Sequence, residues 1–127
     1  MPVRLSTTVG NISSIPNSAN SRIIYEFHQN MKSIRISDSN QNGNLKIIIY
    51  FARFLGSATD FLGVMKKEQI LSFLDTRIKN TEIDPENKWI RTWNDYLQRL
   101  KYFFRWLYNK REQEIKGIEV APHHSYK

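Results

Sequence analysis

Cysteine is absent from the 127 residues. That excludes disulfides, thiolate metal sites and cysteine nucleophiles, and it suits a reducing, intracellular compartment. A long apolar run is missing too. The longest such stretch, Leu45 to Leu55, is broken by Lys46 and Arg53 and falls short of the ~20 residues that a membrane span needs. The amino terminus, Met1-Pro2-Val3-Arg4-Leu5-Ser6, lacks the apolar stretch and small-residue cleavage site of a secretory signal. A cytoplasmic protein with no membrane partner is the expectation. Neither GxxxxGK[ST] nor GxGxxG occurs, so the loops that cradle nucleotide phosphates are lacking. Histidine is confined to His28, His123 and His124. His28 lies beside Phe27 on a helix flank and reads as a surface or partly satisfied side chain. His123-His124 lack the further ligands at fixed positions that a metal site requires. Asp84 and Glu86 flank Pro85 at a helix start, where the helix dipole accounts for them. No catalytic residue, metal, cofactor or small-molecule substrate is expected.

What is present is globular. Hydrophobic residues make up 40%, aromatic 13% and charged 24%, too rich in large apolar side chains for a disordered chain. The length suits one domain. Nineteen Lys and Arg against twelve Asp and Glu leave a net charge of +7. Between Glu86 and Arg111 the bases are Lys88, Arg91, Arg99, Lys101, Arg105, Lys110 and Arg111, and the acids are Glu86 and Asp95. Most of the excess charge therefore sits on one segment, as on a nucleic-acid-binding face or a solvated helix surface.

Residues 1–16, rich in Ser, Thr, Asn, Gly and Pro, show no sustained period and read as a flexible N-terminal arm. Asn17 or Ser18 then caps a first helix, about Ser18 to Ser33, with Ile24, Phe27, Met31 and Ile34 as its apolar stripe. Ser37 to Asn44 is polar and reads mostly as loop, its end from Asn40 already compatible with helix. The isoleucine-rich run Leu45 to Leu55 suits a buried strand by composition. Its length and the series Leu45, Ile48, Ala52, Leu55 favour a second helix, stopped by Gly56. Lys46, Tyr50 and Arg53 align on the face left over. A third helix opens at Lys66-Lys67 and carries Ile70, Leu71, Phe73, Leu74 and Ile78. The fourth and longest runs from about Glu86 to Glu112, with Asp84 as cap and Pro85 in its first turn. These elements predict an all-α fold, a small four-helix orthogonal bundle over 17–112, followed by a linker or tail over 113–127.

On the fourth helix Trp93, Leu97, Leu100, Phe104 and Leu107 set the core face. Arg91, Gln98 and Arg105 project away from it, with Lys88, Thr92, Arg99 and Lys101 on the flanks. The aromatics, at helical spacing, are mainly core. Together with Lys46, Tyr50 and Arg53 these side chains offer donors suited to phosphate oxygens.

The stretch Thr92-Trp93-Asn94-Asp95-Tyr96-Leu97-Gln98-Arg99-Leu100-Lys101-Tyr102-Phe103-Phe104-Arg105-Trp106-Leu107 resembles the last helix of the core-binding domain of tyrosine recombinases, the phage integrase family, and its wording is close to archaeal members. An apolar helix ending like Tyr50 to Leu55, and a later one like Lys67 to Leu74, follow the family's order, so the likeness spans about residues 17 to 111. The resemblance implies a SAM-like four-helix domain that forms half of a clamp around double-stranded DNA. By position it assigns DNA contact to Lys46, Tyr50 and Arg53 of the second helix and to Lys88, Arg91, Thr92, Arg99 and Lys101 of the fourth, with Gln98 a weaker candidate. Alanine at Arg91 and Arg99 is then expected to weaken DNA binding while leaving helix content intact.

In that family the chemistry lies in a second, C-terminal domain that supplies a tyrosine nucleophile with arginine, lysine and histidine partners. Here the sequence ends at Lys127, with Tyr126 lacking such arginines. The expectation is a DNA-binding module, fragment or solitary remnant, that by itself neither cuts nor joins DNA. The rival reading is a stand-alone helical protein-interaction module that associates with a recombinase, including other recombinase protomers, or with another DNA-bound protein through Tyr102, Trp106 and Tyr108, since aromatic anchors are common at interfaces. Adhesion to an anionic membrane is disfavoured, because the apolar face of the fourth helix is needed to close the core.

Overall fold

Asn17 starts the first long helix by turning its own side chain back: Asn17 Oδ1 accepts from the backbone N–H of Asn20 at 2.9 Å, satisfying a donor that the helix start would leave orphaned. The computed structural model describes residues 4–63 and 67–120, with side chains throughout except at 67 and 115–120. Five α-helices follow one another: α1 (Leu5–Gly10), α2 (Ser18–Ser33), α3 (Asp38–Leu55), α4 (Lys67–Asp75) and α5 (Trp89–Val120). Short 3-10 turns at Asn11–Ser14 and Phe61–Gly63 sit between them. No strand occurs among the described residues, so the fold is all-α. None of the described helices is long and apolar enough to cross a membrane.

Residues 5–14 correct the expectation of a flexible arm over 1–16. They are helical, and Thr8, Ile12 and Ile15 are buried. Leu5, Val9 and Ile12, spaced by four and three, form an apolar edge that packs on the core. Thr8 Oγ1 donates to Asn42 Oδ1 on α3, and Ser21 Oγ of α2 donates to the Ile12 carbonyl at 2.8 Å. The segment was illegible because its anchors are few and lie among Ser, Thr and Asn.

The polar stretch after α2 is likewise helix from Asp38 onward, with Ser37 as its cap. Its buried amide donors find acceptors nearby: Gln41 Nε2 donates to the Ile36 carbonyl at 2.8 Å, and Asn44 Nδ2 to Met31 Sδ at 3.4 Å, while Gln41 Oε1 is buried without a partner. Gly56, at φ 74°, ends α3 in a conformation that a side chain would resist. Ile34 is 54% exposed rather than part of the stripe, since α2 stops at Ser33 and Arg35 turns the chain with a φ of 62°. Leu71 and Ile78 are exposed as well, Ile78 lying past the end of α4. At the start of α5, Asn87 at φ 53° breaks any continuation from Pro85, and the helix begins at Trp89 rather than Glu86. Asp84 still serves that start, its Oδ2 accepting from the Trp89 N–H at 2.8 Å. The helix continues through residues 113–120, where a linker was expected.

The interior is a relay of phenyl rings. Phe27 of α2 meets Phe103 of α5 edge-on at 5.1 Å, and Phe103 meets Phe61 at 5.0 Å. Phe61 stacks near Phe51 of α3 at 6.2 Å, and Phe51 meets Phe73 of α4 at 5.3 Å. Each such pair adds about 0.5–1.5 kcal/mol beyond its buried area. Phe61 reaches this relay from a loop, and two asparagines hold that loop. Asn20 Oδ1 accepts from the Phe61 N–H at 2.7 Å while Asn20 Nδ2 donates to the Thr59 carbonyl at 3.0 Å. Asn17 Nδ2 donates to the Ser57 carbonyl at 3.1 Å and to Asp60 Oδ1 at 2.7 Å. Replacing fully buried Asn20 by alanine orphans one backbone donor and one acceptor, so Asn20→Ala is expected to cost about 2–4 kcal/mol. Urea denaturation checks it; a loss below about 0.5 kcal/mol would mean that the loop finds other partners.

His28 is buried on α2, not at the surface, and neither ring nitrogen has a hydrogen-bond partner. Desolvation holds the imidazole below its ordinary value of 6.5; nearby Lys32 pushes the same way and Gln41 opposes them. A histidine with a depressed folded-state pKa stabilises the fold fully above 6.5 and less as pH falls below it, because the unfolded chain then binds the proton first. Stability should drop from pH 7.5 to pH 5.5 with a slope of at most about 1.4 kcal/mol per pH unit from this residue. The comparison is with His28→Gln, whose urea midpoint should fall less over the same interval.

Candidate nucleic-acid interface

The outer strip of α3 survives the packing. Lys46 and Tyr50 are half-buried and Arg53 is exposed, and with Thr8 and Asn11 they line a shallow groove of about 60 Å³. Arg53 Nη2 donates to Ser14 Oγ at 3.1 Å. The amino-terminal segment therefore walls this strip.

Tyr50 leads from α3 to α5 through a residue that the sequence reading passed over. The Arg77 guanidinium, two residues past the end of α4, lies 5.3 Å from the Tyr50 ring, 5.3 Å from Phe73 and 5.5 Å from Tyr96. Burial pushes the Tyr96 phenol above its usual range, with Arg77 opposing; the hydroxyl stays a neutral donor at physiological pH. Beyond Arg77 a cleft of about 640 Å³ opens against the start of α5, lined in part by Lys79, Lys88, Trp89, Thr92 and Tyr96. Arg91 is exposed and shares the adjoining depression with Lys88 and Thr92. Lys88 pairs with Glu86 at 3.3 Å, an exposed contact of at most about 1 kcal/mol that a stronger anion displaces.

Of the residues expected to contact DNA, this geometry joins Lys46, Tyr50, Arg53, Lys88 and Thr92, with Arg91 at the edge. It separates two. Arg99 turns inward: its Nε donates to Asp95 Oδ2 at 3.0 Å and its Nη1 to Asn44 Oδ1 of α3 at 2.8 Å. It lies against Gly43, where an added Cβ would come within 2.7 Å of Nη1. Removing Arg99 thus removes a tie between α3 and α5 along with a charge. Lys101 lies nine positions after Thr92, about half a turn around the helix at 3.6 residues per turn, and so emerges on the opposite flank. Gln98 lines the depression beside Arg91.

Arg77 and Lys79 were missed because they follow α4 in a loop, where no periodicity marks a face. Phe73, four residues before Arg77, was the one local sign. The anchors of the protein-interaction reading are placed too: Trp106 and Tyr102 pack on Phe27 at 5.2 and 5.8 Å, which leaves Tyr108 as the exposed one of the three. Lys110 is held by Glu114 at 2.8 Å and Glu26 of α2 at 3.6 Å, so it braces α5 against α2.

No group of His, Asp or Glu among the described residues is arranged to hold a metal. No family model, curated protein or solved structure matches this chain.

Proposed function

We propose that this chain is a duplex-DNA-binding module, used as the core-binding domain of tyrosine recombinases is used, to hold one side of the double helix rather than to catalyse its cutting. The observation that carries the reading is a single cationic seam across three elements: Lys46 and Arg53 on α3, Arg77 beyond α4, and Lys88 with Arg91 on α5, bridged by Tyr50 and Tyr96. Donors of this kind position a protein on phosphates without reading sequence. The likeness of Thr92–Leu107 to the last core-binding helix supports the same partner. Association with a recombinase or another DNA-bound protein is the rival; of its three aromatic anchors, Tyr102 and Trp106 are partly buried against the core and Tyr108 is exposed.

Fluorescence anisotropy with a labelled duplex at low ionic strength tests the reading. Binding is expected near the ~10⁻⁴–10⁻⁶ M of non-specific complexes. No binding at low salt rejects it.

A further inference from the structure

We propose that the cleft between the end of α4 and the start of α5 is a phosphate-binding pocket, and that Arg77 is its anchor. The inference deepens the DNA-binding reading and rests on it for the ligand, a backbone phosphodiester of the duplex.

Three features of Arg77 carry it. First, the guanidinium is held in place by Tyr50, Phe73 and Tyr96. Contact with three rings orders the group at the wall of the cleft, and an arginine so fixed loses little rotamer entropy when it binds a planar or tetrahedral anion. Second, Arg77 makes no ion pair among the described residues. Two acids line the cleft itself, and neither pairs with Arg77: Asp84 accepts from the Trp89 N–H, and Glu86 makes an exposed pair with Lys88 that a phosphate would displace, while Asp75 accepts from Trp93 Nε1 at 3.3 Å. Third, Arg77 Nε is buried without a hydrogen-bond partner, a vacancy that folded proteins seldom leave unexplained.

The surroundings complete a donor set. Lys79, Lys88, Thr92 and Tyr96 line the same space. Lysines supply point charge, while the guanidinium supplies a fork that fits two phosphate oxygens at once. The cleft adjoins the α3 strip through Tyr50, so a phosphate seated in it continues the row begun by Lys46 and Arg53.

The test follows the Arg77 Nε–H resonance by ¹⁵N NMR; the adjoining rings should shift it away from the other arginines. Adding a short duplex is expected to move it, and Arg77→Lys, which keeps the charge but loses the fork and the stacking, should bind the duplex about tenfold more weakly. A thermal melt of Arg77→Lys establishes that it folds; should it not fold, the wild-type resonance alone decides. If the duplex binds while the resonance stays still and the folded lysine variant binds equally well, the pocket is wrong and the DNA reading stands. If no duplex binds but sodium phosphate alone moves the resonance, the pocket is right and its ligand is a free phosphate. If neither moves it, both proposals fall.

Discussion

Raising the salt from about 50 to about 200 mM is expected to weaken duplex binding by about 500-fold, because each phosphate neutralised releases counterions and contributes about −0.9 to the slope of log affinity against log salt. The seam presents Lys46, Arg53, Arg77, Lys88 and Arg91, the cleft beside it adds Lys79, and Glu86 offsets part of this charge through Lys88. About five effective contacts give a slope near −4.5. An anisotropy titration at several salt concentrations measures it directly. Neutralising Lys46 and Arg53 together should make the slope shallower by about two, whereas Lys101→Gln, on the opposite flank, should leave it unchanged. A slope that responds equally to Lys101 would mean that charge acts diffusely and that no seam exists.

The second large effect concerns the interior. Phe51→Ala is expected to destabilise the protein by about 3–5 kcal/mol, the usual cost of removing a fully buried phenyl ring and leaving a cavity. Phe51 is inaccessible to solvent and meets Phe54, Phe61, Phe73 and Phe104, so its loss unlinks α3 from α4, from α5 and from the loop that carries Phe61. Against the ~5–15 kcal/mol that holds a typical domain together, this removes much of the margin. The melting temperature should fall by about 10–20 °C. Phe54→Ala is the control: that ring is 45% exposed and should cost far less. Equal melting temperatures for the two variants would show that the phenyl relay is not what couples the helices.

The long periodic segments were legible from the sequence, and the reasons are physical. α2 begins and ends where Asn17 and Ser33 indicated, because a capping side chain and an apolar stripe act locally. The Leu45–Leu55 run resolved as helix because its apolar residues recur at helical spacing. Three things could not be read. The burial of Thr8 depends on Asn42, thirty-four positions away. The inward turn of Arg99 depends on Asn44 and on the bare backbone at Gly43. The role of Arg77 depends on rings from three separate elements. Each of these is a contact between segments distant in sequence, and periodicity carries no information about such contacts. The candidate seam was half legible: helical spacing singled out Lys46, Tyr50 and Arg53, but it could not say which flank of α5 they would meet.

The close fit of Arg99 over Gly43 makes the bare backbone at 43 a seat for the guanidinium. A methyl group there would push aside the tip of a flexible side chain, which can swing out toward solvent, so its first consequence is the loss of the Asn44 bond rather than of the fold.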